Sequence, residues 1–492
     1  MRLGQRGRRG RPGAGRGESL FSLICIEISN KRFRELSVVS FMHPQHPCKY
    51  SRNINNILNA LTPLIDINQA VQVSSRSLWR VSLWYMRRSG VREDIAMKVE
   101  EFQVFDVIVI GGGVIGAAIA RELSKYNLQI AIVERNLRVA QETSAGNSGV
   151  IHGGFDPTPG TVNARLNVLG RHLYENEWFK ELNFPHRNRH SIVLAFNDVE
   201  KKELHKLYDQ GITNGLKADE LEILRLEQCL ALEPNLNATV VAGLLCTSSH
   251  SVDPVILTNK LVESALVNGA QLFLGNRVTG ITKVGEEFCV ETINHHSQGQ
   301  NYRARFIVNA AGHYADVIAG MINDKDFSLR TRRGQYRILE KTERYMINDH
   351  ILFMVPTIHG KGVIVAPMLD GHVLVGPSAE EGIAKEDTRL ITMEKFEEVA
   401  TIAKKIIPGL RTERTCFVFS GSRSICVETD DFWIAASSKD KRFIHVAGIA
   451  SLGLSSAPAV AQEAVALIRA QTGMTKKANF VQDRGTVMPI VE

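Results

Sequence analysis

The sequence predicts an α/β chain in which a parallel-sheet domain is interleaved with an α+β domain built on an antiparallel sheet. Three stretches carry that expectation. FDVIVIGGGVIGAAIARELSKYNLQIAIVERN (105–136) reads strand, glycine turn, helix, strand. LFMVPTI, GVIVAPM and HVLVGPS, within the strand-rich 330–415, are short apolar runs broken by glycine, aspartate and histidine turns, the pattern of an antiparallel sheet. RFIHVAGIASLGLSSAPAVAQEAVALI (442–468) is again a strand, a glycine loop and a helix.

Composition sets the outer limits. A chain of 492 residues with 44% hydrophobic and 23% charged content has room for two to four soluble globular domains. The formal net charge of +7 is unevenly spread: residues 1–92 hold 16 Lys+Arg against 4 Asp+Glu, and the remainder 43 against 48. The basic excess belongs to the N-terminal segment, so no nucleic-acid partner is inferred. The seven cysteines (Cys25, Cys48, Cys229, Cys246, Cys289, Cys416, Cys426) show no CxxC pair and no metal-ligand spacing. That predicts a reducing, cytoplasmic setting and no metal site. The longest apolar run, VIVIGGGVIGAAIA (107–120), is glycine-interrupted and shorter than the roughly 18–20 residues of a membrane span, so no transmembrane segment is expected.

Residues 1–100 do not match the rest. MRLGQRGRRGRPGAGRGESL is Arg- and Gly-rich without apolar periodicity, as in a disordered extension. Met97 followed by KVEEFQVFDVIVIGGG also reads as the natural start of a compact nucleotide-binding enzyme, which makes the extension a mis-assigned one. SLWRVSLWYMRRSG (77–90) has the pattern of a basic amphipathic helix suited to peripheral membrane contact. Organellar targeting by residues 1–96 is an alternative, against which Glu18, Glu27 and Glu35 count.

The next element is a Rossmann-like dinucleotide site. VIVI is a buried parallel strand, and Gly111, Gly113 and Gly116 fill the GxGxxG positions. The first glycine allows the tight turn, the second lets the backbone approach a pyrophosphate, and the third packs helix on strand. Ala117, Ala118, Ala120 and Leu123 continue the helix, whose N-terminal amides face the phosphates. Glu134 ends the second strand, placed for ribose hydroxyls; an acid there disfavours NADP. NAD and FAD both remain on this motif alone.

ETSAGNSGVIHGG (142–154) separates them. An NAD enzyme normally continues with another βα unit, whereas this stretch is small and polar. Gly146, Gly149, Gly153 and Gly154 would admit a flat, wide ring against the backbone, and Thr143, Ser144, Asn147 and Ser148 offer hydrogen bonds around it. An isoalloxazine needs such a surface, so FAD is predicted. His152 reads either as a base or polar contact beside the flavin, or as a structural loop histidine.

Further along, SIVLAF (191–196) is a strand, followed by a helix from Asp198 toward Gln210. DPVILTNKLVESALVNGA (253–270) is a helix capped by Asp253 with Pro254 in its first turn. FIVNAAGHYAD (306–316) is a strand ending at glycine that returns the chain to the cofactor. In the last helix Ser455 or Ser456 is the expected cap, with Pro458 in the first turn. The domains are therefore 101–190, 244–325 and 415–475 for the cofactor, 191–243 and 326–414 for the substrate, and 476–492 as a tail.

The fingerprint, ETSAGNSGVIHGG, FIVNAAGHYAD and VAGIASLGLSSAPAVAQEAV (446–465) together resemble the FAD-dependent oxidoreductases related to D-amino-acid oxidase. RRGQY (332–336), MVPTIHGKGVIVAPMLDGHVLVGP (354–377) and FSGSRSI (419–425) are similar to the glycerol-3-phosphate oxidases and dehydrogenases within them. The likeness covers roughly residues 104–470 and leaves out the first hundred. It implies oxidation of a small phosphorylated polyol, sn-glycerol 3-phosphate, with oxygen, a quinone or a protein as electron acceptor. The absence of a cysteine-rich C-terminal module leans toward oxygen and hydrogen peroxide. It also implies a helix N-terminus, at Gly453 and Leu454, against the pyrimidine edge of the flavin, with Gly312 near the cofactor. By the same resemblance His152, Lys361 and Arg423 are the catalytic candidates, and Ser148, Ser451, Lys361 and Arg423 are expected to line the substrate pocket. A dianion needs fixed cations, which Lys361 in HGKGV and Arg423 in GSRS supply; each also reads as an ordinary surface cation. His359 shapes the turn. SRSI departs from the family's usual SRPI at Ser424 and leaves Arg423 intact. The alternatives are a 2-hydroxy-acid oxidoreductase of the L-2-hydroxyglutarate type and a flavin-binding protein without turnover.

Overall fold

Val107, Ile108, Val109 and Ile110 are all buried, and the strand they form runs through the middle of a sheet covered on both faces. The computed structural model describes residues 103–355 and 362–482, within the compact unit Glu100–Glu492. The expectations for residues 1–100, for Lys361 and His359, and for the end of the tail lie outside the described residues.

The chain opens with β1 (Gln103–Ile110), α1 (Val114–Ser124), β2 (Ile130–Val133), β3 (Val150–Ile151), α2 (Val162–Leu173) and β4 (His186–Asn188). There follow β5 (Ser191–Ala195), α3 (Asp198–Asn214), β6 (Leu221–Arg225), β7 (Ala242–Cys246), β8 (His250–Val252), α4 (Pro254–Val267) and β9 (Gln271–Phe273). Next come β10 (Asn276–Val284), β11 (Glu287–Asn294), β12 (Gly299–Asn309), α5 (Ala315–Gly320) and β13 (Leu329–Leu339). The last part holds β14 (Ile351–Met354), β15 (Ile364–Pro367), β16 (Val373–Gly376), β17 (Glu380–Glu381) and α6 (Met393–Ile406). It closes with β18 (Thr415–Cys426), β19 (Trp433–Ala436), β20 (Phe443–Ala447) and α7 (Gly453–Arg469).

The first sheet has a parallel centre, β20-β12-β1-β2-β9, with Val107 opposite both Ile130 and Phe306. Beyond β12 the sheet forks, into an antiparallel meander of β11 and β10 and into β20 with antiparallel β19. One face is covered by a core in which α1, α4 and α7 pack together. The carboxyl ends of β1, β2, β12 and β20 gather at one edge, where ligands of open α/β sheets bind. Behind that edge a buried network ties β12 to β20. Asn309 Nδ2 donates to the Ala315 carbonyl at 2.7 Å and to His445 Nδ1 at 3.1 Å. His445 Nε2 therefore carries the proton it gives to Asp324 Oδ2, 3.1 Å away.

The second sheet has nine strands and is antiparallel as expected, apart from a parallel pairing of β14 with β5. It differs from the sequence reading in two memberships. Residues 415–426, assigned to the cofactor domain, form β18 and pair with β13 along its whole length, from Leu329↔Cys426 to Leu339↔Thr415. Residues 244–246 likewise belong to β7, between β5 and β6. Strand alternation marks a strand without naming its neighbour, and here the longest available partner is β13. A small third sheet joins β3, β8 and β4.

Helix ends show where local chemistry decides. Asp253 Oδ1 accepts from Val255 and Ile256 N–H at 2.9 and 2.8 Å, and Pro254 leads α4, as expected. α3 runs past Gln210 to Asn214 and stops at Gly215. The expected cap of α7 is corrected: its N-cap is Leu452 without a side-chain bond, and both Ser455 and Ser456 lie inside the helix. Pro458 is the sixth residue rather than part of the first turn. Lacking an N–H, it leaves the Leu454 carbonyl without its helical donor, and the Tyr174 hydroxyl donates there at 2.9 Å. No described helix is long and apolar enough to cross a membrane.

Candidate functional site

At the end of β1 the chain turns through Gly111 with φ 111°, a backbone conformation that side chains rarely adopt. A Cβ on Gly116 would overlap the Gly111 carbonyl oxygen, so α1 sits directly on the turn. At Gly113 a Cβ would meet only Ser144 Oγ, at 3.1 Å. Gly113 provides no side-chain cap for α1; Ser144 Oγ accepts from Val114 N–H at 2.9 Å instead. Glu134, buried at the end of β2, accepts from Gly112 N–H at 2.7 Å through Oε2 and from Asn136 N–H at 2.8 Å through Oε1. Burial raises its carboxyl pKa, and these two amide bonds work against the rise. Each oxygen keeps a lone pair for a hydroxyl donor.

The 142–154 loop is tied to the turn after β12 and to the middle of β18. Thr143 Oγ1 donates to the Ser422 carbonyl at 2.7 Å, so it must accept from His313 Nε2 at 3.0 Å. Asn147 commits its side chain to the loop: Nδ2 donates to the Thr143 and Ser144 carbonyls at 3.1 and 2.8 Å, and Oδ1 accepts from Gly149 N–H at 2.8 Å. Ser148 is half-buried beside it.

The reason first given for the loop's glycines is corrected. A Cβ on Gly146 would stand 2.6 Å from Gly421 Cα, and one on Gly421 would overlap the Gly146 carbonyl. Gly149 abuts the Val252 carbonyl, Gly153 abuts Cys246 Sγ, and a Cβ on Gly154 would lie 2.6 Å from a Val168 methyl. Protein backbone and side chains fill the space at these four positions, where a flat ring was expected.

His152 follows β3 and is only 8% exposed. Its N–H donates to Ser455 Oγ at 2.9 Å, its carbonyl accepts from Asn167 Nδ2 at 3.3 Å, and its ring centroid is 5.8 Å from that of Phe353. Arg423 lies half-buried on β18, opposite Arg332. One guanidinium nitrogen, Nη2, stands 3.2 Å from where a Gly334 Cβ would be. Burial lowers its pKa; the Tyr336 phenol, hydrogen-bonded to it, raises it, and Arg332 lowers it again. Arg332 is paired with Glu381, whereas Arg423 has no ion pair among the described residues. Ser451 is exposed ahead of α7, and Gly453 and Leu454 are that helix's first two residues. Gly312 opens the short turn Gly312–Tyr314 that follows β12.

The structure thus brings Gly113, Ser144, Thr143 and Gly312 to one edge, with Arg423 joined through Ser422 and His152 joined to α7. Two residues, His313 and Tyr336, have no site role in the sequence reading, and a third, Ser455, has another one there. His313 is 3% exposed and burial lowers its pKa to about 4. Tyr336 stacks on Phe419 with centroids 4.7 Å apart and reaches Arg423. Ser455, expected as a helix cap, instead accepts from the His152 N–H. The signal for His313 was its place directly after Gly312.

Residues 106–467 match the family model of the FAD dependent oxidoreductases, DAO. Glycerol 3-phosphate oxidase of Mycoplasma genitalium is 42% identical over 378 residues, spanning 77% of this chain and 97% of that protein. Glycerol 3-phosphate dehydrogenase of Caloramator mitchellensis is 38% identical over 390 residues, 79% of each chain. Among solved structures, dithionite-reduced L-alpha-glycerophosphate oxidase from Mycoplasma pneumoniae with FAD bound matches with a TM-score of 0.75 at 40% identity, covering 77% of this chain and 98% of that one.

Proposed function

We propose that this chain, which belongs to the DAO family of FAD dependent oxidoreductases, oxidises sn-glycerol 3-phosphate to dihydroxyacetone phosphate and passes the electrons to oxygen. The observation that carries the reading is Arg423, a half-buried guanidinium without a carboxylate partner among the described residues. The Gly146–Gly421 contact presses its strand against the loop that ends in His152. The carboxylate that acts on it, Glu381, is ion-paired with Arg332, so the Arg423 guanidinium suits an anionic substrate.

The residues present fit FAD. A buried carboxylate with spare lone pairs, Glu134, suits ribose hydroxyls, and the open side of Gly113 with the N-terminus of α1 suits a diphosphate. The first amides of α7, Gly453 and Leu454, lack a side-chain cap and suit the charge that develops at a flavin edge. When bound, FAD supplies the two-electron chemistry, taking the hydride from C2 and yielding the electrons to oxygen as hydrogen peroxide. His152 accepts the proton of the C2 hydroxyl, and its burial keeps bulk water from that proton. Arg423 and Lys361 hold the phosphate, with Ser148 and Ser451 at the pocket wall. Thr143 and Ser144 fix the loop beside the cofactor, Asn147 holds that loop's shape, and Gly312 leaves room behind it. The described cysteines, Cys229, Cys246, Cys289, Cys416 and Cys426, are free, in keeping with a cytoplasmic enzyme.

The purified protein should be yellow, with a band near ~450 nm that bleaches on anaerobic mixing with glycerol 3-phosphate. In air, peroxide should form mole for mole with substrate consumed. Bleaching by L-2-hydroxyglutarate alone would replace the substrate, and no bleaching by either would leave a flavin-binding protein without turnover. Reoxidation too slow to support turnover in air, beside fast turnover on a quinone, would replace the acceptor.

A further inference from the structure

β3 is two residues long, and its pairing with β8 stops at Ile151, so ladder hydrogen bonds end one residue before His152. Buried backbone groups must nonetheless find partners. For His152 both come from side chains on two different helices. Ser455, in the first turn of α7, accepts from its N–H at 2.9 Å, and Asn167, on α2, donates to its carbonyl at 3.3 Å. Both side chains are fully buried, and Ser455 is oriented by donating its own proton to the Val150 carbonyl at 3.4 Å. A Cβ on Gly170 would overlap the Ser455 carbonyl, so α2 and α7 touch backbone to backbone here. Phe353, from β14 of the second sheet, confines the ring.

We propose that Ser455 and Asn167 are positioning residues for His152, a two-helix clamp that sets the imidazole against the substrate hydroxyl and ties its place to the start of α7. This rests on the reading of His152 as the base. The clamp fixes the peptide groups on both sides of the His152 Cα, and so the direction in which the side chain leaves the backbone. Misplacing a reacting group by about 1 Å costs on the order of 10²-fold in rate, and loss of one of two clamping bonds is expected to cost about tenfold.

The test uses holoenzyme, with anaerobic stopped-flow reduction of bound flavin by glycerol 3-phosphate and separate titration of FAD affinity. Ser455→Ala and Asn167→Leu should each lower the limiting reduction rate about tenfold, while FAD and substrate dissociation constants stay within about twofold. In a His152→Asn background, Ser455→Ala should change the rate by less than about twofold, because no imidazole is left to place. Wild-type reduction rates in both single variants would overturn the proposal. So would a tenfold loss that persists on top of His152→Asn, since Ser455 would then act on the flavin through α7. Full turnover in His152→Asn alone would remove the base assignment first, and the clamp with it. Should Ser455→Ala fail to fold, Asn167→Leu against His152→Asn makes the same comparison.

Discussion

Tyr174 and Pro458 should be energetically coupled although they lie far apart in sequence. In an α-helix each N–H bonds the carbonyl four residues earlier, so proline at 458 strands the carbonyl of Leu454. Tyr174 is fully buried, and burial raises its pKa well above the ordinary phenol value, so the hydroxyl stays a donor, 2.9 Å from that carbonyl. Tyr174→Phe removes one oxygen, changes little volume, and leaves a carbonyl oxygen in a place 8% exposed at Leu454. An unsatisfied buried acceptor costs about 1–3 kcal/mol. Pro458→Ala returns an N–H to the helix, so in the Tyr174→Phe background the carbonyl regains a donor and most of that loss should vanish. The four proteins of the cycle are compared by urea unfolding at fixed excess FAD. The expected coupling is about 1–2 kcal/mol. If Tyr174→Phe costs the same with proline or alanine at 458, within about 0.5 kcal/mol, the Leu454 carbonyl is not what the hydroxyl serves.

Arg423→Met should lower kcat/KM for glycerol 3-phosphate about 10- to 150-fold and for unphosphorylated glycerol far less; an equal loss on both would assign Arg423 to the chemistry or the flavin. Gly113→Leu should yield colourless protein, because its side chain would extend past Ser144 into the turn, and full flavin occupancy in that variant would contradict the placement. Burial lowers the folded-state pKa of His313 to about 4, while the unfolded chain protonates it near about 6.5. The unfolded state therefore binds more protons below that value, so stability from the neutral imidazole is complete above pH ~6.5 and is lost as pH falls toward ~4, by roughly 3 kcal/mol at most. His313→Gln, which keeps a donor for Thr143, should flatten the decline of urea midpoint between pH 7 and pH ~4.5; an unchanged slope would place the acid sensitivity elsewhere.

What the sequence disclosed was what a short window determines. The turn of the 105–136 motif closes largely within itself, with Gly116 seated on Gly111 and Glu134 accepting from Gly112, and Asp253 and Pro254 announce α4 from adjacent positions. Sheet membership of 415–426 was hidden because the partner of β18, Leu329–Leu339, lies far upstream, and alternation identifies a strand but not its neighbour. Ser455 resembled a cap because serine prefers that place; the His152 N–H takes its oxygen instead, and Leu452 becomes the boundary. The glycines of 142–154 signalled close approach without saying of what. His313 is flagged only by its place after Gly312, since the Thr143 hydroxyl that holds it comes from another part of the chain.

The meeting of Gly146 with Gly421 bears on how the enzyme can be redesigned. Each position tolerates the other only while both lack a side chain, and Arg423 stands two residues beyond one of them as Thr143 and Ser144 stand shortly before the other. A methyl at either place pushes both neighbourhoods at once. Across a library randomised at these two sites, flavin occupancy and affinity for glycerol 3-phosphate should fall together along a single diagonal, with no variant that loses one and keeps the other. Grafting a foreign β18 to alter substrate preference would succeed only where the donor strand brings its own glycine at 421, because the loop opposite has no room to yield.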